Sequence, residues 1–234
     1  SKLIEVHDKR AKTAEGSVKA DSIVVATHYP FIDTPGYYFM RMHQERSYVI
    51  ALENAAVLDG MYIDGSGTGY SFRNYGELLL FGGEAHRSGK NPDGGRYQKL
   101  GEAARNFYPE CREKYRWSAQ DCMTLDEVPY IGRYSADTPD LYVATGFQKW
   151  GMTTSMAAAM LLRDMITGKK NDSEEVFTPQ RFHAAASAVN LAKDAAESVS
   201  GLTKGLLKVP DTWEEELKPG TAGVVESEEG RVGV

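Results

Sequence analysis

The sequence contains little cysteine and no long apolar run. Its 234 residues include only two cysteines, Cys111 and Cys122, and their spacing fits neither a metal site nor a disulfide framework. Two reduced thiols are therefore predicted, which is typical of a cytoplasmic protein. No apolar stretch approaches the ~18 residues that a membrane-spanning helix needs, and no basic-then-apolar leader stands at the start. We therefore expect no membrane span.

A strong positive charge is also missing. The chain has 33 acidic and 27 basic residues and a net charge of −6, which argues against nucleic acid or an anionic membrane as the main partner. The composition is 41% hydrophobic and 26% charged, as in ordinary globular proteins. The length suffices for a real core, in one large domain or two small ones.

The first half of the chain predicts mainly strands. Residues 1–18 alternate loosely around a turn and predict a hairpin or a pair of short strands. Ile23–Ala26 is a continuous apolar run that predicts a strand buried on both faces of a sheet. Residues 37–84 contain alternating segments separated by turn clusters, which indicate a mainly antiparallel sheet. The residues from Arg96 to Tyr108 have helical spacing. The alternating segments are residues 46–52, 60–64, 70–73 and 77–83.

Residues 140–168 predict a strand, a turn of small residues and a helix. The strand runs from Asp140 to Gly146, and the helix from Gly151 to about Ile166. Residues 156–162 leave almost no polar face, so this helix is predicted to be buried, and Gly168 fits a C-terminal cap. A helix start presents unpaired N–H groups that can hold a phosphate or stabilise developing negative charge. Every strand–helix turn presents such N–H groups, so this turn indicates a binding site only in combination with neighbouring motifs.

Four short segments, in order, resemble FAD-dependent oxidoreductases of the D-amino-acid oxidase class, which includes sarcosine, glycine and glycerol-phosphate oxidases. Residues 20–27 resemble the strand that closes the FAD domain, and residues 80–84 resemble a Gly-Gly-Glu strand end. Residues 124–132 resemble the signature T-x-D-x-x-P-x-I-G, and residues 141–153 the C-terminal flavin segment. The resemblance covers roughly residues 1–168. It implies FAD contacts from Ala26, Thr27, Gly146, Trp150, Gly151, Met152 and Thr153.

The sequence departs from this family in one important respect. The glycine-rich G-x-G-x-x-G and its acidic ribose-binding residue are absent, so the ADP half of the cofactor has no binding segment here. Neither cysteine matches a covalent flavin linkage, and we expect non-covalent FAD. The chain alone is predicted to bind FAD poorly and to be inactive, and to gain activity only within a full-length enzyme.

Arginines on or beside the predicted strands are candidates for substrate binding, because a guanidinium can hold a carboxylate through two hydrogen bonds. Arg41, Arg46 and Arg73 are the candidate anchors, with Tyr48 and Tyr70 as groups that orient an amine or cap the pocket. The alternative is a solvated sheet face with Arg–Glu pairs. His28, His43 and His86 have no evident triad partner. No catalytic residue is assigned, since hydride transfer to a flavin requires no protein base.

The tail predicts a helix over residues 179–198 and a hairpin of residues 223–226 and 231–234. The hairpin resembles the opening strands of a Rieske-type iron–sulfur domain, and a terminal hairpin of the flavoprotein itself is the alternative. The ligand pairs Cys-x-His and Cys-x-x-His are absent, so no metal ligand is assigned. An iron–sulfur cluster is expected only in a further C-terminal domain.

The predicted fold class is α/β (α+β), with a mainly antiparallel substrate sheet plus strands and a helix of a Rossmann-like FAD domain. The predicted divisions are FAD-domain residues 1–30, substrate domain 31–135, FAD-domain strand and helix 136–170, helical extension 171–215 and hairpin 216–234. The predicted function is oxidation of an amine or amino acid by hydride transfer to FAD. The alternatives are a binding module without redox activity and a Rossmann-like enzyme using another nucleotide such as NAD. An exposed edge at Ile23–Ala26 predicts a homodimer.

Overall fold

A computed structural model describes residues 3–7, 9–65, 69–91, 94–181, 224–227 and 230–233. The chain divides into two compact units, Ser1–Ser187 and Ala188–Val234. The first unit is a mixture of strands and helices, and it contains both sheets that matter for function. The fold class expected from the sequence is confirmed. No helix among the described residues is long and apolar enough to cross a membrane.

The first unit begins with three short antiparallel strands, one more than the predicted hairpin or pair of short strands contains. Strand β1 pairs with β2, and β2 pairs with β3. A fourth strand, β4, belongs to a different sheet. The bounds are β1 Leu3–His7, β2 Arg10–Thr13, β3 Gly16–Lys19 and β4 Ile23–Val25.

A five-stranded antiparallel sheet forms the centre of the first unit, in the order β6-β7-β8-β5-β9. Helix α1, Arg96–Phe107, covers one face of it. The core beneath this helix includes Ile50 and Phe81, which lie opposite each other on neighbouring strands, together with Leu100. The predicted antiparallel sheet and the predicted helix are both confirmed. The strand bounds are β5 Met42–Glu53, β6 Tyr62–Ile63, β7 Ser71–Tyr75, β8 Leu78–Arg87 and β9 Arg112–Thr124.

A smaller sheet combines strand β4, from the early part of the first unit, with two strands from much later in the sequence. Strand β10, Tyr130–Arg133, pairs antiparallel with β11, Leu141–Thr145, which pairs in parallel with β4. Because β4 and β11 are parallel, the residues that follow both strands lie at the same edge of the sheet. Helix α2, Gly151–Ile166, starts five residues after Gly146 at this edge and packs back on the sheet.

Helix α2 is buried on one side only, so the prediction of a fully buried helix is wrong. Ala158, Leu161 and Leu162 pack on the small sheet. Met152, Met156 and Met160 recur every four residues on another side and are 91%, 67% and 58% exposed. The small sheet covers a single face of α2, and the sequence pattern could not show how much protein surrounds the helix.

Strand β4 also differs from its prediction as a strand buried on both faces. Val25 is buried against Tyr38, Tyr130 and Val143, whereas Val24 is 41% exposed. Among the described strands, β4 stands at the edge of its sheet. The apolar run therefore has one face in the core and one face open.

A buried ion pair fixes the segment after α2. The short helix α3, Glu174–Phe177, leads to Arg181, whose guanidinium donates to both carboxylate oxygens of Asp126 at 2.7 and 2.9 Å. Arg181 also donates to the carbonyl oxygens of Pro129 and Phe177, and both charged side chains are almost fully buried. Burial would raise the pKa of Asp126, but Arg181 outweighs it and lowers that pKa.

Little of the predicted tail is described. Most of the predicted helix over residues 179–198 and of the extension to residue 215 lies outside the described residues. In the second unit, β12 Val224–Ser227 and β13 Gly230–Gly233 pair antiparallel, which confirms the predicted hairpin.

Candidate active site

The ends of β4 and β11 bring three of the predicted cofactor residues together. Thr145 Oγ1 donates a hydrogen bond of 2.5 Å to the carbonyl oxygen of His28, which ties the end of β11 to the residue after Thr27. Thr27 Oγ1 in turn donates to the carbonyl oxygen of Tyr29 at 2.9 Å. Ala26 and Thr27 are exposed beside this edge, next to the turn that starts at Gly146.

Gly146 is required by its surroundings. Its φ is +72°, in the left-handed region that favours glycine, and a Cβ at this position would overlap Cγ2 of the buried Thr124. The chain can turn here only because the side chain is absent. The turn then lies close against the end of β9, where Gln148 N donates to the carbonyl oxygen of Cys122 at 3.2 Å.

The start of α2 is open to a ligand. Trp150 is the N-cap residue and provides no side-chain cap, so N–H groups of the first turn have no side-chain acceptor from the cap. Thr153 Oγ1 donates back to the carbonyl oxygen of Trp150 at 3.2 Å. A Cβ on Gly151 would meet nothing within 4 Å. A flat group can therefore approach this helix start closely, at the positive end of the helix dipole.

Lys149 links the turn to the open face of the five-stranded sheet. Its ammonium donates to Ser47 Oγ and to Asp121 Oδ2, each at 2.8 Å, and lies 3.9 Å from Glu45 Oε2. Ser47 Oγ donates to the same Asp121 oxygen at 3.1 Å. Hydrogen bonding from His43, assisted by the charge of Lys149, lowers the pKa of Glu45. The lysine is therefore already engaged by acidic partners.

A cavity of about 570 Å³ lies beside Lys149 and Trp150, within the size range of small-molecule sites. Glu84 and Arg96 form an ion pair on its wall, with Arg96 Nη1 3.1 Å from Glu84 Oε2. Arg96 Nε also donates to Asn91 Oδ1 at 3.2 Å. The lining residues are Ile63, Gly69, Glu84, Ala85, Arg96, Lys149 and Trp150.

Glu84 on the wall of this cavity, and Gln148 directly before Lys149, have unusual backbones. Glu84 and Gln148 adopt positive φ values of 54° and 51° without being glycine. Such conformations cost free energy and concentrate at functional sites. Gln148 Nε2 donates to the carbonyl oxygen of Glu127 at 2.7 Å, and this bond helps to hold the turn.

The three predicted substrate residues are not brought together. Arg41 donates to the carbonyl oxygens of Pro179 and Gly36 at 2.6 and 2.8 Å, and its guanidinium lies 4.5 Å from the ring centre of Tyr38. Arg73 is exposed on β7. Substrate binding by Arg41, Tyr48 and Arg73 gains no support from these positions, because none of them lines the cavity beside Trp150.

Tyr48 belongs to a second cavity, under the start of α1. Its hydroxyl lies 2.9 Å from His86 Nε2, and the ring of Tyr97 packs edge-on against it. Arg46 shares this cavity of about 490 Å³ with Tyr48 and His86. Tyr70 packs on Phe81, and burial, with a smaller contribution from Glu84, raises its pKa.

Sequence reasoning missed several residues of the site. Arg96 opens a helix and Asp121 lies on a strand that the pattern did not reveal, so neither stood out as a ligand. Glu84 ends the Gly-Gly-Glu segment, which was the one signal available for it. Among the described residues, no group of three or more His, Cys, Asp or Glu side chains could hold a metal ion.

Comparison with known proteins identifies the family. Residues 2–165 match the family model described as FAD dependent oxidoreductase. The chain is 35% identical over 215 residues to YhfW of Bacillus subtilis (strain 168), which is named as a Rieske 2Fe-2S iron-sulfur protein. That match covers 89% of this chain and 42% of YhfW.

Solved structures share the fold at low sequence identity. Glycine oxidase from Geobacillus kaustophilus matches with a TM-score of 0.62 and 19% identity, over 74% of this chain and 49% of that one. L-proline dehydrogenase from P. horikoshii matches with a TM-score of 0.60 and 18% identity, over 74% and 50%. This chain thus spans about half the length of the proteins it matches or less. Because the family model matches most of its residues, the chain belongs to the FAD-dependent oxidoreductase family.

Proposed function

We propose that this chain forms the substrate side of a flavin enzyme that oxidises an amine or amino acid. One observation carries the proposal: the uncapped start of α2 stands next to a cavity large enough for a small substrate. The family match supports FAD as the cofactor. Glycine oxidase and L-proline dehydrogenase among the structural neighbours support a small nitrogen compound as the substrate.

The residues at the turn suit the flavin ring. N–H groups at Gly151, Met152 and Thr153 would face its pyrimidine carbonyl, where the positive helix end stabilises negative charge. Ala26, Thr27 and Gly146 would lie along the neighbouring edge. Trp150, which is 61% exposed, would form one wall of the substrate cavity. Bound FAD supplies one chemical capacity, acceptance of a hydride with its two electrons.

The residues of this chain position the substrate for that transfer. The reacting carbon loses a hydrogen with its bonding pair, and the nitrogen lone pair forms the new C=N bond. The substrate nitrogen must first give up its extra proton to water or to a neighbouring carboxylate. Water then hydrolyses the product to a carbonyl compound and an amine. Glu84 is placed to orient the nitrogen, and the cavity walls restrict water.

Further protein surface is expected around the small sheet. The exposed methionines of α2 and the open edge of β4 are apolar and unpaired surfaces among the described residues, and such surfaces favour association. A flavin domain of the full-length protein is the partner that we propose, and a second copy of the chain is the alternative. The name of YhfW supports a further proposal, an iron–sulfur centre that receives the electrons.

The test uses the full-length gene product. It should be yellow with flavin absorbance, should release FAD on denaturation, and should bleach under anaerobic conditions when an amine or amino acid is added. Gly151→Val should weaken FAD binding at least tenfold, because the new side chain projects into open space where the ring would lie. The control is Gly101→Val in α1, whose added Cβ would meet only the flexible end of Arg105. A colourless wild-type protein after FAD reconstitution, or unchanged FAD affinity in Gly151→Val, contradicts the proposal.

A further inference from the structure

The charges beside the candidate cavity are already paired. Among the described residues of its wall, the cations are Arg96 and Lys149. Arg96 is paired with Glu84 at 3.1 Å, and Lys149 donates to Asp121 and Ser47 at 2.8 Å. A guanidinium or ammonium that captures a substrate carboxylate must direct its donors at the ligand. Here Lys149 donates to the carboxylate of Asp121 and the hydroxyl of Ser47, and Arg96 donates to the carboxylate of Glu84 and the amide oxygen of Asn91.

An incoming carboxylate therefore meets an unfavourable environment. At Lys149 or Arg96 it would compete with Asp121 or Glu84, and it would place its own negative charge close to that acidic group. Like charges at short range repel, and a carboxylate that loses its cation in a half-buried site is poorly compensated. The side chains of Asp121 and Glu84 are only 19% and 17% exposed, so solvent screens this repulsion incompletely.

A cationic amine meets the opposite conditions. A carboxylate has about four acceptor positions, so Glu84 can accept from a substrate ammonium while it keeps Arg96. The exposed indole of Trp150 stands on the same wall, and aromatic faces attract ammonium groups. Ile63 and Ala85 supply apolar contact for an alkyl chain.

We propose, building on the function proposed above, that this site takes alkylamines without an α-carboxylate. Glu84 holds the substrate nitrogen, Trp150 covers it, and the Asp121–Lys149 pair discriminates against amino acids. Asp121 is a positioning residue in this scheme, since it acts through Lys149. Neutralising it should free the ammonium to bind a carboxylate.

The experiment measures flavin reduction in the full-length protein with matched substrates. Dimethylamine and sarcosine differ by one carboxylate, as do propylamine and 2-aminobutyrate. Wild type should show at least tenfold higher kcat/KM for the amine of at least one pair. Asp121→Asn should raise kcat/KM for the matching amino acid at least tenfold, and should shift the ratio of amino-acid to amine kcat/KM by at least tenfold. Loss of folding cannot produce such a gain. A wild type that prefers the amino acids, or an Asp121→Asn variant with unchanged preference, overturns the inference.

The matched control removes a carboxylate from a comparable ion pair elsewhere on the same sheet. Lys114 Nζ lies 2.5 Å from Glu53 Oε1, at the far end of β5 from Glu45, so Glu53→Gln should leave the preference unchanged. If Glu53→Gln also changed the preference between amines and amino acids, the loss of any carboxylate on the sheet would have the same effect as Asp121→Asn. That result would overturn the inference.

A binding measurement separates this inference from the proposed function. Fluorescence of Trp150, identified by its loss in Trp150→Phe, should respond to propylammonium at concentrations at least tenfold lower than to propionate. This readout involves no hydride transfer. If no compound reduces the flavin but propylammonium binds selectively, the proposed function fails and the inference stands. Stronger binding of propionate overturns the inference even where an amine reduces the flavin.

Discussion

The sharpest structural prediction concerns Gly146, where backbone conformation and packing both exclude a side chain. Its φ of +72° costs an alanine about 1–2 kcal/mol. Its Cβ would also overlap the methyl group of Thr124, which is 3% exposed and has little room to move. Overpacking of a tight interior adds about 1–3 kcal/mol. Gly146→Ala should therefore lower the free energy of unfolding by about 2–5 kcal/mol.

A second glycine separates the two contributions. Gly168 has nearly the same φ, +71°, but a Cβ there meets nothing within 4 Å. Gly168→Ala should cost only the backbone contribution, about 1–2 kcal/mol. Thr124→Ser removes the colliding methyl group, so the pair Gly146→Ala and Thr124→Ser should be less destabilising than the sum of its single changes. The expected coupling is about 1–3 kcal/mol, the overpacking cost.

Urea unfolding of each variant, followed by far-UV circular dichroism, measures these differences. Equal slopes of the unfolding free energy against urea would establish that the folded and unfolded states are comparable. If Gly146→Ala costs no more than Gly168→Ala, the close contact with Thr124 is unimportant. If Thr124→Ser gives no rescue, the collision has been assigned to the wrong atom. Either result refutes the argument that packing at the end of β9 dictates this glycine.

Three further predictions follow from buried groups. In the same urea assay, Arg181→Met should lower the free energy of unfolding by about 3–5 kcal/mol, because Asp126 is left buried without its cation. The control, Lys170→Met at the exposed Lys170–Asp172 pair, should lower it by less than about 1 kcal/mol. Since Arg181 lowers the pKa of Asp126 in the folded state, this contribution is complete above the unfolded-state pKa of about 3.9 and is lost as the pH falls through the lower folded value. The acid loss of stability should shrink in Asp126→Asn, and an unchanged pH profile contradicts it. Burial raises the pKa of Cys122 to about 11. A thiol reagent at pH 8 should therefore modify this cysteine only after the protein unfolds. Rapid labelling of the native protein would refute its burial.

The sequence predicted the elements whose pattern is local. The helix over Gly151–Ile166 and the strand over Leu141–Thr145 were found with nearly correct bounds, because helical spacing and a short apolar run between turn residues are readable in one segment. Strand β9 was missed because its first eight residues are exposed and the first seven of them are polar or aromatic, so it lacks an apolar alternation. It exists because it pairs along the whole length of β5. That pairing joins residues far apart in the sequence, so no single segment reveals it.

The same distinction between local patterns and long-range contacts explains which site residues could be predicted. Gly146, Gly151 and Thr27 were predicted from short segments that resemble the family, and the structure brings Thr27 and Gly146 to one edge through the parallel pairing of β4 and β11. The arginines were chosen only because they lie on strands. A strand position does not reveal which face a side chain occupies or which carbonyl it meets. Arg41 is engaged by the backbone oxygens of the nearby Gly36 and of Pro179, which is distant in the sequence.

Lys149 shows why charge at a site cannot be inferred from one segment. A lysine directly before a flavin-type helix would, by itself, suggest an anchor for an anionic substrate. Its ammonium instead meets Asp121 and Ser47, which come from two strands of another sheet. The pair is therefore a product of tertiary structure, and it reverses the expected selectivity at the cavity. A relative with the same lysine but an uncharged residue at position 121 should accept carboxylates, so the residue on β9 carries the information about substrate class.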